Sequence, residues 1–188
     1  LKSHSLLNAN ALNFSGGPGA LPESVLQQIQ AAVEVVPELG VSILGVSHRS
    51  EWFKAVVEEA EYNIKRLLNL SDAFHVLFLQ GGATQQFSMI PMSFLKAGQT
   101  ADYLKTGYWS TKSIKETQYE SQFNVLWSGE NDGFNRLPSQ HELHYNPNAT
   151  YFHYTSNETV EGVQFQEVMG LASVPRICDM SSDFLSKP

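Results

Sequence analysis

The stretch HVLFLQGGATQQFSM, His75 to Met89, decides the fold. Residues 75–79 are mostly apolar and predict a strand. Gly81 and Gly82 predict a tight turn, and residues 84–94 predict a helix in spite of Pro91. In such a unit the glycines carry no side chain, so an anion can approach backbone N–H groups while the helix adds its positive end. The same residues also make an ordinary glycine turn, and both readings stand on this feature alone. No Gly-Lys-Ser/Thr follows, so it is not a Walker loop, and the Gly-x-Gly-x-x-Gly dinucleotide pattern is absent.

Working outward, strands alternate with helices or long connections. TADYLKT from residue 100 predicts a strand, WSTKSIKETQYE a helix and FNVLW a strand. DGFNRLPSQHELHYNPNA reads as loop with room for a short helix, and TYFHYT and VPRICDM as strands. Upstream, FSGGPGALPE must be loop. Behind Pro22, Val25, Leu26, Ile29, Val33 and Val36 recur at helical spacing until Pro37 and Gly40. A stronger helix is predicted from Glu51 to Leu68, with Ser50 as its N-cap. The pattern is that of an α/β fold with a mainly parallel sheet. Ligands of such sheets sit beyond the C-terminal ends of the strands.

The bulk composition narrows the function. The chain has 188 residues, 42% of them hydrophobic, with a formal net charge of -7. An acidic balance argues against a nucleic-acid partner. No apolar run approaches the length of a membrane span. The start, LKSHSLLNANALNFS, shows no signal-peptide core, and Cys178 alone cannot form an internal disulfide. These features predict a cytoplasmic protein that binds neither nucleic acid nor membrane. The first residue is not methionine, and the chain stops on a proline just after a strand-like run. That predicts a fragment.

Four places after predicted strands hold candidate site residues. Gly82, Ala83 and Thr84 form the anion nest. Trp109, just past Gly107, is either core or a platform for a flat ring. In SNETVEG, Thr159 is either a donor to a phenolate-like oxygen or part of a turn. Asp179 follows an apolar strand directly. Its carboxylate suits a protonated ring nitrogen or a metal, or simply caps a turn, and no His or Cys at ligand spacing supports the metal. In SHRS, His48 and Arg49 sit in a loop, where the arginine fork suits a carboxylate or phosphate or is merely surface. An anion nest, a flat aromatic, a hydroxyl and a carboxylate together suit pyridoxal phosphate, a phosphorylated aromatic cofactor.

The motifs NFSGGPGALPE, SHRS, FLQGGAT, TGYWSTKSIKE, TSNETVEG and CDMSSDFLSKP occur in this order. In them the chain resembles the phosphoserine aminotransferases, class V enzymes of the fold-type I pyridoxal-phosphate group. The resemblance implies a large domain over residues 21–188, preceded by an arm and substrate-side loop over residues 1–20. It implies that Gly82, Ala83 and Thr84 bind the cofactor phosphate, that Trp109 stacks on its ring, that Thr159 bonds its phenolic oxygen, and that Asp179 pairs with its ring nitrogen. It gives Ser15, Gly16, His48 and Arg49 to the substrate, the last two acting across a homodimer interface.

The implied reaction moves an amino group between O-phospho-L-serine and 2-oxoglutarate, giving 3-phosphohydroxypyruvate and L-glutamate in serine biosynthesis. The 4-phosphohydroxy-L-threonine step of pyridoxine biosynthesis is a second implied use. In the family the Schiff-base lysine lies beyond the SSDFLS segment, so Lys187 is not that residue, and the rest of the large domain and the small C-terminal domain are expected to be absent. The chain alone is then expected to be inactive. The alternatives are another class V aminotransferase or lyase, or a binding protein without catalysis if the chain is naturally this short.

Overall fold

The computed structural model describes residues 12–15, 17–118 and 122–186. These fall into two compact units, one running to Leu77 and one starting at Phe78.

The first unit carries two helices. Helix α1, Glu23–Glu34, starts behind Pro22, whose fixed backbone suits a helix entry. Beyond it the chain folds back through a bridge between Val36 and Val41, and the Ser42 hydroxyl donates to the Val33 carbonyl. Helix α2, Glu51–Leu67, begins where expected: Ser50 Oγ accepts the Phe53 N–H at 3.2 Å, and Glu51 lies at the positive end.

The second unit is built on a four-stranded parallel sheet. Its strands are β1 (Thr100–Lys105), β2 (Gln122–Ser128), β3 (Phe152–Thr155) and β6 (Arg176–Asp179), in the order β2-β1-β3-β6. A small antiparallel hairpin, β4 (Asn157–Glu158) with β5 (Val163–Gln164), follows β3. Helix α3 is Gly82–Phe94 and helix α4 is Tyr108–Thr117. Side-chain alternation divides the core between the two faces of the sheet. Ala101, Tyr103 and Tyr151 pack with Ile114 of α4 on one face. There the Tyr103 hydroxyl meets those of Thr117 at 2.8 Å and Tyr151 at 2.7 Å. On the other face Leu104, Phe152 and Tyr154 pack with Leu143, Phe165 and Met169, which come from the long connections.

One expected element is missing. Residues 75–79 form no strand. Their apolar side chains are exposed, Leu77 at 72% and Leu79 at 61%. A strand exists through its ladder, and among the described residues no neighbouring backbone pairs with this segment. The hairpin β4–β5 is an addition, since two-residue strands leave no readable period in a sequence.

Candidate active site

The order β2-β1-β3-β6 puts a switch point at the C-terminal ends of β1 and β3, because the chain leaves β1 for one neighbour and later returns on the other side. Beyond β1 it enters α4 through Thr106 and Gly107, and beyond β3 it enters the hairpin through Ser156. Glu158 joins these two exits. Its side chain is fully buried. Oε2 accepts the Trp109 N–H at 2.9 Å, while Oε1 accepts the Ser110 N–H at 3.0 Å and the Thr106 hydroxyl at 3.0 Å. The positive end of α4 is thus closed by an internal carboxylate. Gly107 has to be glycine here, since a Cβ would lie 2.8 Å from Glu158 Cδ and 2.4 Å from Glu161 Oε2.

The Trp109 ring is thereby held at the head of α4, half-buried, edge-on to Tyr108 at 4.9 Å. The Lys112 ammonium lies 5.5 Å from its ring centroid. Thr159 directly follows Glu158 and is half-buried.

Helix α3 begins differently. Its N-cap Gly81 adopts a left-handed φ of 106°, and no side chain caps the helix. Gly82 has φ 64°, and nothing lies within 4 Å of the position a Cβ would take. The first N–H groups of α3 thus receive no side-chain cap at a positive helix end, although the Gln85 side chain folds back over Gly81.

Asp179 closes β6. Its Oδ1 accepts from Ser181 N at 3.0 Å and Ser181 Oγ at 2.5 Å, and its carbonyl accepts from Ser156 N and Oγ. Ala83 from the head of α3 and Asp179 line one cavity of about 210 Å³, together with Gln86, Phe87, His153 and Ser181. One residue of the predicted phosphate nest, Ala83, is thus brought together with the predicted acid, while Gly82 and Thr84 do not line the cavity. Trp109 and Thr159 gather at the neighbouring strand ends through Glu158 and do not line that cavity.

The remaining candidates belong to the first unit. His48 and Arg49 are exposed in a turn where Arg49 N donates to Ser47 Oγ at 3.2 Å. Among the described residues Arg49 makes no ion pair. Ser15 is exposed and its hydroxyl donates to the Gly17 carbonyl at 3.2 Å. Gly16 and Lys187 lie outside the described residues.

Two residues that sequence reasoning did not single out belong to the site. Glu158 was visible only as one of several polar groups in SNETVEG. His153 was visible only as one residue of the TYFHYT strand, although a histidine amid aromatics on a buried strand is itself a signal. Among the described residues no group of three or more His, Cys, Asp or Glu side chains converges as metal ligands would.

The chain was compared with known proteins. The aminotransferase class-V family model matches residues 11–188. The phosphoserine aminotransferase of Desulfatibacillum aliphaticivorans is 48% identical over 177 residues, covering 94% of this chain and 48% of that protein. Among solved structures, the phosphoserine aminotransferase of Bacillus circulans subsp. alkalophilus is 46% identical with a TM-score of 0.89. The PLP-bound phosphoserine aminotransferase of Trichomonas vaginalis is 35% identical with a TM-score of 0.84. Each structural match covers 94% of this chain and 49% of the other. The chain spans about half the length of the curated relatives it matches.

Proposed function

The chain belongs to the class-V aminotransferase family, and from that premise we propose that it is a phosphoserine aminotransferase of fold-type I in which residues 21–188, part of the large domain, hold pyridoxal phosphate. The observation that carries this reading is the shared cavity of Ala83 and Asp179, which is lined by the head of a helix without a side-chain cap and by a carboxylate. A group with a phosphate at one end and a basic ring nitrogen at the other fits these two poles. The fit extends to Gly82, where a side chain would fill the open space in front of α3.

In this reading Gly82, Ala83 and Thr84 bind the phosphate through the backbone and the helix end. Asp179 holds a proton on the ring nitrogen by Coulomb attraction. Trp109 covers the ring, held in place by Glu158, and Thr159 donates to the ring's oxygen. The bound cofactor supplies an electron sink for amino transfer. Arg49 and His48 take the phosphate or carboxylate of the substrate from across a homodimer interface, with Ser15 and Gly16 on the substrate side. The substrates are O-phospho-L-serine and 2-oxoglutarate, and the setting is cytoplasmic serine biosynthesis, with the pyridoxine-pathway substrate as a second use.

Among the described residues no lysine lines the cavity. The 188 residues by themselves are therefore expected to bind pyridoxal phosphate reversibly and to transfer no amino group. The test is to mix the protein with the cofactor and follow Trp109 fluorescence, then add glutamate and 3-phosphohydroxypyruvate. Saturable quenching that is lost on replacing Trp109 supports the reading. Absence of binding, or steady turnover by these 188 residues, overturns it.

A further inference from the structure

His153 is 1% exposed, and its Nδ1 has no hydrogen-bond partner. A buried polar atom in that condition is destabilising, so its surroundings call for a partner. The ring is fixed on both sides, stacked on Tyr103 at 5.0 Å and edge-on to Phe87 at 6.1 Å. Its other nitrogen, Nε2, lies 3.4 Å from Ser113 Oγ. Burial pushes its pKa down to about 4, against the opposing pull of the Asp179 charge. At pH 7 the ring is neutral and carries a single N–H.

The sheet register supplies the neighbour. His153 stands opposite Ile177 on β6, and Thr155 stands opposite Asp179. Because side chains alternate, His153 and Asp179 share one face, and both line the 210 Å³ cavity. Ser181 already bonds Asp179 Oδ1, and among the described residues no bond is made at Oδ2. If Nε2 carried the proton, a bare Nδ1 lone pair would be left unpartnered within reach of the Asp179 charge, which is unfavourable.

We propose that His153 is a positioning residue for Asp179: Ser113 donates to Nε2, and Nδ1–H donates toward Asp179 Oδ2 after a small turn of the carboxylate. With Oδ1 held by Ser181 and Oδ2 by His153, the carboxylate plane is fixed and its remaining lone pairs are aimed at the ligand. This rests on the reading in which Asp179 meets a protonated ring nitrogen.

The first measurement needs no cofactor. In protein labelled with ¹⁵N-histidine, two-bond proton–nitrogen correlations should show His153 as the Nδ1–H tautomer, and Asp179→Asn should shift that Nδ1 resonance. An Nε2–H tautomer, or no response to Asp179→Asn, overturns the proposal. The second is pyridoxal phosphate affinity. His153→Leu should weaken it about tenfold, and His153→Asn, which keeps a donor near the Nδ1 position, should recover most of the loss. Equal affinity of His153→Leu and wild type overturns it. If wild type binds no pyridoxal phosphate, the functional reading fails while the tautomer still decides this one. If the leucine variant does not fold, the asparagine variant and the labelled wild type decide it.

Discussion

The Glu158 carboxylate accepts the Trp109 backbone N–H at 2.9 Å across 49 residues of sequence, so strand β4, just beyond β3, holds the beginning of α4. Both carboxylate oxygens are used as acceptors, one by Trp109 and the other by Ser110 and Thr106. Glu158→Gln keeps the size and offers one oxygen. Whichever end the amide nitrogen takes, a buried N–H then faces another donor. We expect a loss of about 2 kcal/mol in urea unfolding and a shifted Trp109 emission in the folded state. A variant as stable as wild type would show that water substitutes for the carboxylate here.

Gly82→Ala separates the anion site from the fold. The left-handed backbone, φ 64°, costs an alanine about 1–2 kcal/mol. The new methyl also fills the space in front of α3. Pyridoxal phosphate affinity should fall by more than a stability loss of that size explains, while Glu158 and α4 are untouched. Unchanged affinity in a calorimetric titration would remove the phosphate from this helix end.

Much of the site was legible in the sequence because its residues follow strands, and strands announce themselves by apolar runs with turn residues behind them. Trp109, Thr159 and Asp179 were singled out this way and do follow strands of the sheet, whereas Gly82 was singled out behind a strand that the structure does not contain. Glu158 and His153 were not, since their roles depend on partners 40 or more residues away. The parallel sheet creates those neighbours, and one-dimensional periodicity does not record which strand lies beside which. The same limit explains residues 75–79. Their pattern satisfies a strand, but ladder hydrogen bonds require a second backbone, which the pattern cannot supply.

Asp179→Asn tests the acid. The amide keeps the volume and can still accept from Ser181, so the fold should be retained. The attraction for a ring proton is lost, and amino transfer by the active enzyme should fall roughly a hundredfold or more. Near-normal turnover in a steady-state assay with cofactor bound would end this assignment.

Arg49→Lys tests the substrate grip. Arg49 is exposed and makes no ion pair among the described residues, so its replacement should leave stability within about 0.5 kcal/mol. A lysine keeps the charge and loses the two-pronged geometry. In a full-length enzyme carrying this segment, the KM for the phosphorylated substrate should rise about tenfold, with pyridoxal phosphate affinity unchanged. Equal KM values would place substrate recognition elsewhere.

His153 also makes a prediction about acid stability, with a definite sign. Burial lowers its pKa in the folded protein from 6.5 to about 4. Between these values the unfolded chain takes up a proton that the folded one refuses. The neutral imidazole therefore contributes nothing to pH dependence above about 6.5, and stability falls as pH drops from there toward 4. The full interval corresponds to on the order of 3 kcal/mol. Glu142 acts lower. Its bonds from Ser139 and Arg136 hold its pKa down at about 2, so the stability it lends is lost only as pH falls from 4.5 toward that value. The window from pH 6.5 to 4.5 thus isolates the histidine. Urea unfolding across that window should show the stability of wild type minus that of His153→Leu decreasing as pH falls, because leucine has no proton to refuse. Parallel curves would show that the folded protein takes up the His153 proton at the ordinary pH, and with it that the ring is not sealed between Tyr103 and Phe87.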